Sequence, residues 1–417
     1  MSTESKSAES KPALMDVSKL PVEQAVSRLI AYSVMLPASD IFFSSGEHTL
    51  AINVRHLGIV MPISVVPIEV GRRYVSHVKV LAGMDVSEKR RPQDGRWVHK
   101  PDGENSVDLR VNMIPTMFGE DLALRILSRN SQLYKIEELG LTHGQLQELL
   151  GMLHTPSGLI LITGPTGSGK TATLYASLVL LNDGKRKINT IEDPVEHIIE
   201  GMRQSQVNPQ ISLGFSDLLR SVLRQSPDII MVGEVRDAET AETAVRAANS
   251  GHLVFATIHA PVAAAAVQSM RGLGVHAHFL STCLRGIVSQ RLVRTLCPHC
   301  KVSFDLSIAP HTFDEVRPWL TGEEGKVLYA SKGCPQCQMT GYASRTGVFE
   351  VLKVSRGIRD LVMDGKPVKA IRDAAAAEKM LNFRQAALLK VAQGMTSTEE
   401  VFRVIPSEHL LEETLVG

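Results

Sequence analysis

One segment restricts the fold of this 417-residue chain more than any other. Gly164-Pro165-Thr166-Gly167-Ser168-Gly169-Lys170-Thr171 satisfies GxxxxGK[ST] at every fixed position and follows the apolar run Leu159-Ile160-Leu161-Ile162. A glycine loop between a buried strand and a helix is a phosphate cradle. The glycines admit backbone N–H groups to phosphate oxygens, and the helix amino terminus adds the positive end of its dipole. Lys170 can reach the β- and γ-phosphates of ATP, and the Thr171 hydroxyl can ligate Mg²⁺. The competing reading, a glycine-rich turn with a chance lysine, is disfavoured by the strand–loop–helix context.

The rhythm around the loop agrees with it. Thr142 and Gln145 have capping-box spacing, and Leu146, Leu149, Leu150 and Leu153 then line one helical face. Apolar strands are expected at 159–162, 188–191, 229–232 and 253–257, with helices at 215–224 and 237–248. Continuous apolar strands alternating with helices predict an α/β domain with a parallel sheet covered on both faces. Before it, residues 18–130 read as a small α+β domain. Val22, Ala25, Val26, Leu29 and Ile30 recur at helical spacing, and strand-like runs follow at Asp40–Phe43, Leu50–Val54 and Val107–Ile114. Residues 1–17, rich in Ser, Glu and Lys, read as a flexible tail, and 131–140 as a linker to a domain spanning 141–417.

A phosphate loop needs acidic partners at neighbouring strand ends, and two segments offer them. Thr190-Ile191-Glu192-Asp193-Pro194-Val195-Glu196 places three carboxylates after a strand; acids at a plain helix start are the bland alternative. Ile229-Ile230-Met231-Val232-Gly233-Glu234 resembles a Walker B segment whose acid, Glu234, can hold a water of the Mg²⁺ shell. His252 and His259 flank the next strand, where they are either structural or close enough to the γ-phosphate to sense nucleotide.

Composition narrows the partners. Lys+Arg total 45 against Asp+Glu 44, a net charge of +1, and aromatics are 5%. That balance argues against a broad basic surface, though it leaves room for a local basic groove, and sparse aromatics argue against stacking platforms for single strands, so direct nucleic-acid contact is not expected. No apolar run approaches the roughly 18 residues of a membrane span, and the polar start MSTESKSAESKP is not a secretory signal. Both point to a cytoplasmic or peripheral protein. Four of the five cysteines form Cys297-Pro298-His299-Cys300 and Cys334-Pro335-Gln336-Cys337, with residues 301–333 between the pairs. Two CxxC knuckles favour one structural Zn²⁺ over free thiols or a redox pair; His299 could replace one thiolate. Cys283 stands alone and reads as a small core residue.

Together these residues resemble the ATPases of type II secretion and type IV pilus assembly. The segments carrying the likeness are GLILITGPTGSGKT, INTIEDPVEH, SQVNP, LLRSVLRQSPDIIMVGEVRDAETAETA, SGHLVFATIHA, LRGIVSQRLVRTLCPHC and GCPQCQMTGYASRTGVFEVL, almost unbroken from Gly158 to Leu352. A weaker match at Ala38–Ile41 and Arg90–Arg96 extends it back to about residue 20. The resemblance implies a RecA-like P-loop ATPase domain over 141–417, with the zinc module at 297–337 and a helical region at 353–417, behind a PAS-like domain at 18–130. It implies a homo-hexameric ring in which hydrolysis of Mg-ATP moves the two domains relative to each other. That motion would pass to an inner-membrane platform protein at the cytoplasmic face of the membrane. By residue match, Glu196 activates the attacking water within an acidic box that includes Glu192. Glu234 is the Walker B acid, His252 and His259 are the histidine box, and Arg96, Arg110 and Arg125 are arginines supplied to the nucleotide.

The tetracysteine pattern marks the assembly class within this family, as opposed to retraction. A conjugation or DNA-uptake motor on a related fold, a retraction ATPase and a nucleotide-binding scaffold ring are the alternatives. Longer members carry a further docking domain, for which the residues before position 18 are too few. Ile41-Phe42-Phe43, Ser226 and His259-Ala260-Pro261 depart from the usual Ile-His-x-Glu, Asp and His-Thr-Asn, but none removes a phosphate or Mg²⁺ ligand.

Overall fold

The computed structural model describes residues 14–100, 106–128 and 133–410. Most of the expected tail, the first two linker positions and the end of the helical region lie outside these residues. The chain divides into two compact units: residues up to Gln132, with which Cys334–Met339 groups, and the remainder from Leu133.

The first unit runs α1 (Val22–Met35), β1 (Ala38–Ser45), β2 (Thr49–His56), β3 (Ile59–Pro67), α2 (Ile68–Leu81), β4 (Gln93–His99), β5 (Val107–Thr116) and β6 (Gly119–Ser128). The helical spacing read at residues 22–30 is the buried stripe of α1: Ala25, Val26, Leu29 and Ile30 are fully buried. The strands form one antiparallel sheet in the order β3-β2-β1-β6-β5-β4. Three of its strands were legible; β3, β4 and β6 were not, because prolines, charges and turns interrupt their alternation. The core of this unit gathers α1 and α2 on the sheet around Phe43, Leu50, Ile52, Tyr74 and Leu124.

The second unit opens with a single 3-10 turn at Ile136–Leu139 and α3 (His143–Leu153). The capping box is formed: Gln145 N–H donates to Thr142 Oγ1 at 3.3 Å, and Thr142 N–H to Gln145 Oε1 at 3.1 Å. There follow β7 (Gly158–Thr163), α4 (Lys170–Leu181), β8 (Ile188–Glu192), β9 (Arg203–Gln206), α5 (Phe215–Val222), β10 (Ile229–Val232), α6 (Ala238–Asn249), β11 (Leu253–Ile258), α7 (Ala263–Gly272) and α8 (Ala277–Cys283). The chain then forms β12 (Leu284–Leu296), β13 (Val302–Asp305), β14 (Val327–Ala330) and β15 (Tyr342–Lys353), and ends in α9 (Arg356–Met363), α10 (Val368–Ala377), α11 (Phe383–Ala392) and α12 (Thr398–Val404).

The main sheet has the order β15-β12-β7-β11-β10-β8-β9. Every residue of β7, β8, β10 and β11 is buried, as strands covered on both faces require. One expectation needs correction: the sheet is not purely parallel. β12 lies parallel to β7 but antiparallel to β15. The reason is the connection. After β12 the chain returns through the cysteine module rather than a helical crossover, so it re-enters the sheet in the opposite sense. The helix expected at 215–224 gives way to a 3-10 turn at Leu223–Gln225.

Candidate nucleotide site and cysteine cluster

The parallel register puts the carboxyl ends of β7, β11, β10 and β8 on one edge, since Gly158 pairs Leu253 and Ile229 pairs both Leu253 and Ile188. Ligands of open α/β sheets bind at that edge. β7 delivers the glycine loop there. Gly164 has φ 141°, and a Cβ on it would sit 2.4 Å from Gln290 O and 2.7 Å from Ser168 Oγ, so no side chain fits. Gly169, at φ 88°, is the N-cap of α4 and offers no side chain to its free N–H groups, which face the loop.

Lys170 Nζ donates to Gly164 O at 2.8 Å and Pro165 O at 3.2 Å. Burial lowers its pKa, and the nearby Glu234 carboxylate offsets part of that. The Ser168 hydroxyl oxygen is buried without a hydrogen-bond partner. An orphaned donor, a glycine cradle and a lysine at one helix start fit a nucleotide phosphate chain, with Thr171 beside them for Mg²⁺. The loop is braced from the next strand: Gln290 on β12 donates to Ser168 O at 2.8 Å and accepts from Thr173 Oγ1 at 2.8 Å. Sequence reading missed Gln290, which lies more than a hundred residues downstream with no local pattern to mark it.

Glu234 follows β10. Its Oε1 meets His259 Nε2 at 2.7 Å and its Oε2 pairs with Arg236. The Arg236 hydrogen bond chiefly, with His259 assisting, holds the carboxyl below its ordinary range against a desolvation cost. The loop after β11 is clamped to the start of the glycine loop: Ala260 N–H donates to Thr163 Oγ1 at 2.7 Å, and that hydroxyl donates to Ala260 O at 2.9 Å. The unusual residue at position 260 therefore acts through its backbone.

The two histidines do not converge. His259 is at the loop edge, but His252 precedes β11 at the opposite edge, where its Nδ1 meets Ala247 O at 2.9 Å. A strand the length of β11, about 20 Å, separates them. Parallel pairing with β7 fixes that polarity, so within one chain only His259 stands at the glycine-loop edge. Of the acidic segment, Asp193 and Glu196 are exposed, whereas Glu192 is buried among hydrogen-bond donors.

In the first unit, Arg96, Arg110 and Arg125 stand directly opposite one another on the adjacent strands β4, β5 and β6. Arg125 in turn faces Asp40 on β1. All three arginines are exposed. Arg96 binds Asp108 through Nε at 2.9 Å and its Nη2 at 2.5 Å, and Arg125 approaches Asp40 at 3.4 Å.

Cys297, Cys300, Cys334 and Cys337 bring their sulfurs within 4.8 Å of one another. Cys334 Sγ and Cys337 Sγ are 3.7 Å apart, and Cys334 N–H donates to Cys337 Sγ at 3.2 Å. Tetrahedral Zn–S bonds of about 2.3 Å require S···S edges of about 3.8 Å, so this donor set fits Zn²⁺. His299 is exposed and outside the group. Cys283 is buried in the sheet core, where burial pushes its thiol up to about 12.

The family model for the type II/IV secretion system protein matches residues 16–403. The chain belongs to that family. Type II secretion system protein E of Dickeya dadantii is 39% identical over 389 residues, 93% of this chain and 76% of that protein. Type IV pilus assembly ATPase PilB of Pseudomonas aeruginosa is 39% identical over 391 residues, 92% of this chain and 67% of its own. Among solved structures, the Legionella pneumophila ATPase DotB superposes with a TM-score of 0.69 at 22% identity, covering 94% of this chain and 98% of that one. At that identity the structural match speaks for the fold alone, a RecA-like ATPase architecture. Family and fold together make the chain a secretion-family ATPase.

Proposed function

We propose that this chain is a Mg-ATP-hydrolysing motor that forms a homo-hexamer and powers assembly of a type IV pilus or a type II secretion pseudopilus. The observation that carries the reading is the convergence of the P-loop, the Glu234–His259 pair and the acidic loop on one edge of the sheet. Residues Gly164 to Thr171 would cradle the phosphates, and Lys170 would shift from its backbone partners to the β- and γ-oxygens. Thr171 and, through water, Glu234 would hold Mg²⁺, which when bound neutralises charge on those oxygens. Glu196 accepts the proton of the attacking water while that oxygen bonds to the γ-phosphorus and ADP leaves. His259 orients Glu234 and registers the γ-phosphate. Arg96, Arg110 and Arg125 supply guanidinium charge to the transferring group when the domains close.

Its partner would be an inner-membrane platform protein, met at the cytoplasmic face. Among the described residues no helix is long and apolar enough to cross a membrane, which is compatible with a peripheral motor. The similarity to a type II secretion system protein E and a type IV pilus assembly ATPase, with the tetracysteine group, favours assembly over retraction. The net charge of +1 favours a protein track over DNA.

Complementation tests the reading. In the native host, deleting the gene should abolish a surface fibre or secretion through the outer membrane, and only the wild-type copy should restore it. Restoration by Lys170→Ala, or ATPase stimulation by DNA with a steep salt dependence, would overturn it.

A further inference from the structure

Glu192 ends β8 at the edge where the acids collect, yet its carboxylate is turned inward. The residue is 3% exposed. Oε1 accepts from Thr190 Oγ1 at 2.6 Å and Gln204 Nε2 at 3.1 Å, and Oε2 accepts from the Tyr175 hydroxyl. A carboxylate only accepts, so Tyr175 must donate to it, leaving the phenolic lone pairs to act as acceptors.

They are used by the acidic loop. Tyr175 Oη accepts from Glu196 N–H at 3.3 Å and, more weakly, His197 N–H at 3.5 Å. The His197 ring meets the Tyr175 ring edge-on, with centroids 5.8 Å apart. Gln204, on β9, completes the hold: Nε2 donates to His197 O at 2.9 Å, and Oε1 accepts from Ile199 N–H at 2.8 Å. The backbone of 196–199 thus hangs on two side chains, and both converge on Glu192. Tyr175 itself stands on α4, one turn beyond Thr171, on the helix whose amino terminus forms the phosphate cradle. Burial, with the Glu192 hydrogen bond, raises the Tyr175 pKa and keeps its donor proton in place.

We infer that Tyr175 and Glu192 are positioning residues that tie the Glu196 loop to the P-loop helix, so that the element gripping the phosphates also sets where the water-activating carboxylate stands. The inference rests on the assignment of Glu196 proposed above.

The test is steady-state ATP hydrolysis by the full chain and five variants. Tyr175→Phe keeps the ring and loses the donor, so kcat should fall about tenfold or more while the KM for ATP stays within about threefold. Glu192→Gln can still accept from Tyr175 through its amide oxygen but turns its N–H₂ towards the Gln204 Nε2 donor, so it should lose part of the rate, whereas Glu192→Ala should fall to the Tyr175→Phe level. Tyr175→Phe combined with Glu196→Gln should be no slower than Glu196→Gln alone, as for groups acting through one another. Wild-type kcat in Tyr175→Phe, multiplying losses in the double variant, or a Glu192→Gln as inactive as Glu196→Gln would each overturn the inference; the last would return Glu192 to direct chemistry. If Tyr175→Phe folds poorly, the contrast between Glu192→Gln and Glu192→Ala decides. A fully active Glu196→Gln would remove the Glu196 assignment and this inference together, whereas an inactive one beside an unimpaired Tyr175→Phe removes the inference alone.

Discussion

Lys170→Ala is expected to lower ATP turnover by about 10²–10³-fold or more while leaving the thermal melt of the protein unchanged or slightly raised. The two halves of this result have different origins. Among the described residues the ammonium hydrogen-bonds only the carbonyls of Gly164 and Pro165, and burial already lowers its pKa. A partly buried cation held by neutral acceptors contributes little to folding, because desolvation offsets its hydrogen bonds. Its favourable interaction is with charge that develops on the phosphates, so its removal should appear in kcat rather than in stability. Steady-state hydrolysis together with a thermal melt of the purified chain checks both halves. Unimpaired turnover would exclude this loop as the site of hydrolysis, and a collapse of the melt would show that Lys170 supports the fold.

Removal of metal from the cysteine cluster is the second large effect. About one Zn²⁺ per chain is expected by elemental analysis, and none after Cys334→Ser with Cys337→Ser. Zinc stabilises such sites by about 10–16 kcal/mol in isolated peptides, so its loss should matter here. The damage should nonetheless be local. Between the two knuckles the only sheet is the short β13–β14 pair, Val302–Asp305 with Val327–Ala330. The segment also contributes Phe313 and Val316 to an apolar cluster with Phe383, Ala386 and Leu389 of α11. Stripping the ion should therefore speed hydrogen exchange around both knuckles and in β13 and β14 first, with β7, β10 and β11 still protected. Uniform loss of protection, or none, would show that the sulfurs do not hold a structural ion. Because thiolates are the ligands, acidification should release the metal as chelation does.

How much of this is legible in the amino-acid sequence differs by element. The glycine loop and the buried strands are, because both are local: a loop motif with fixed spacing, and runs of apolar residues long enough to cross a covered sheet. The four cysteines were legible because metal-binding side chains come in spaced pairs. β12 and β15 were not, since Arg291, Arg294 and Arg345 interrupt their apolar pattern and their pairing spans the whole cysteine module. Gln290 was invisible for the same reason. Tyr175 carries no motif or spacing that sets it apart in the sequence, and only the fold reveals what its hydroxyl touches. His252 shows the converse. Two histidines flanking six residues look like a pair on paper, but a strand keeps its ends apart, and strand direction assigns only His259 to the glycine loop.

The arginine row of the first unit has a consequence for ionic strength. Like charges directly opposite on neighbouring strands repel, and Arg110 lies between two other guanidiniums. Asp108 and Asp40 relieve its neighbours, while Arg110 has no acidic partner among the described residues. These groups are exposed, so moderate salt should screen the repulsion and raise the melting temperature of this unit, the reverse of what ordinary surface ion pairs produce. Arg110→Gln should flatten that rise, and a melt equally salt-dependent in the variant would refute it. A sheet that carries such a row is under tension that dissolved ions ease only in part, and a multiply charged anion seated across it would ease it more.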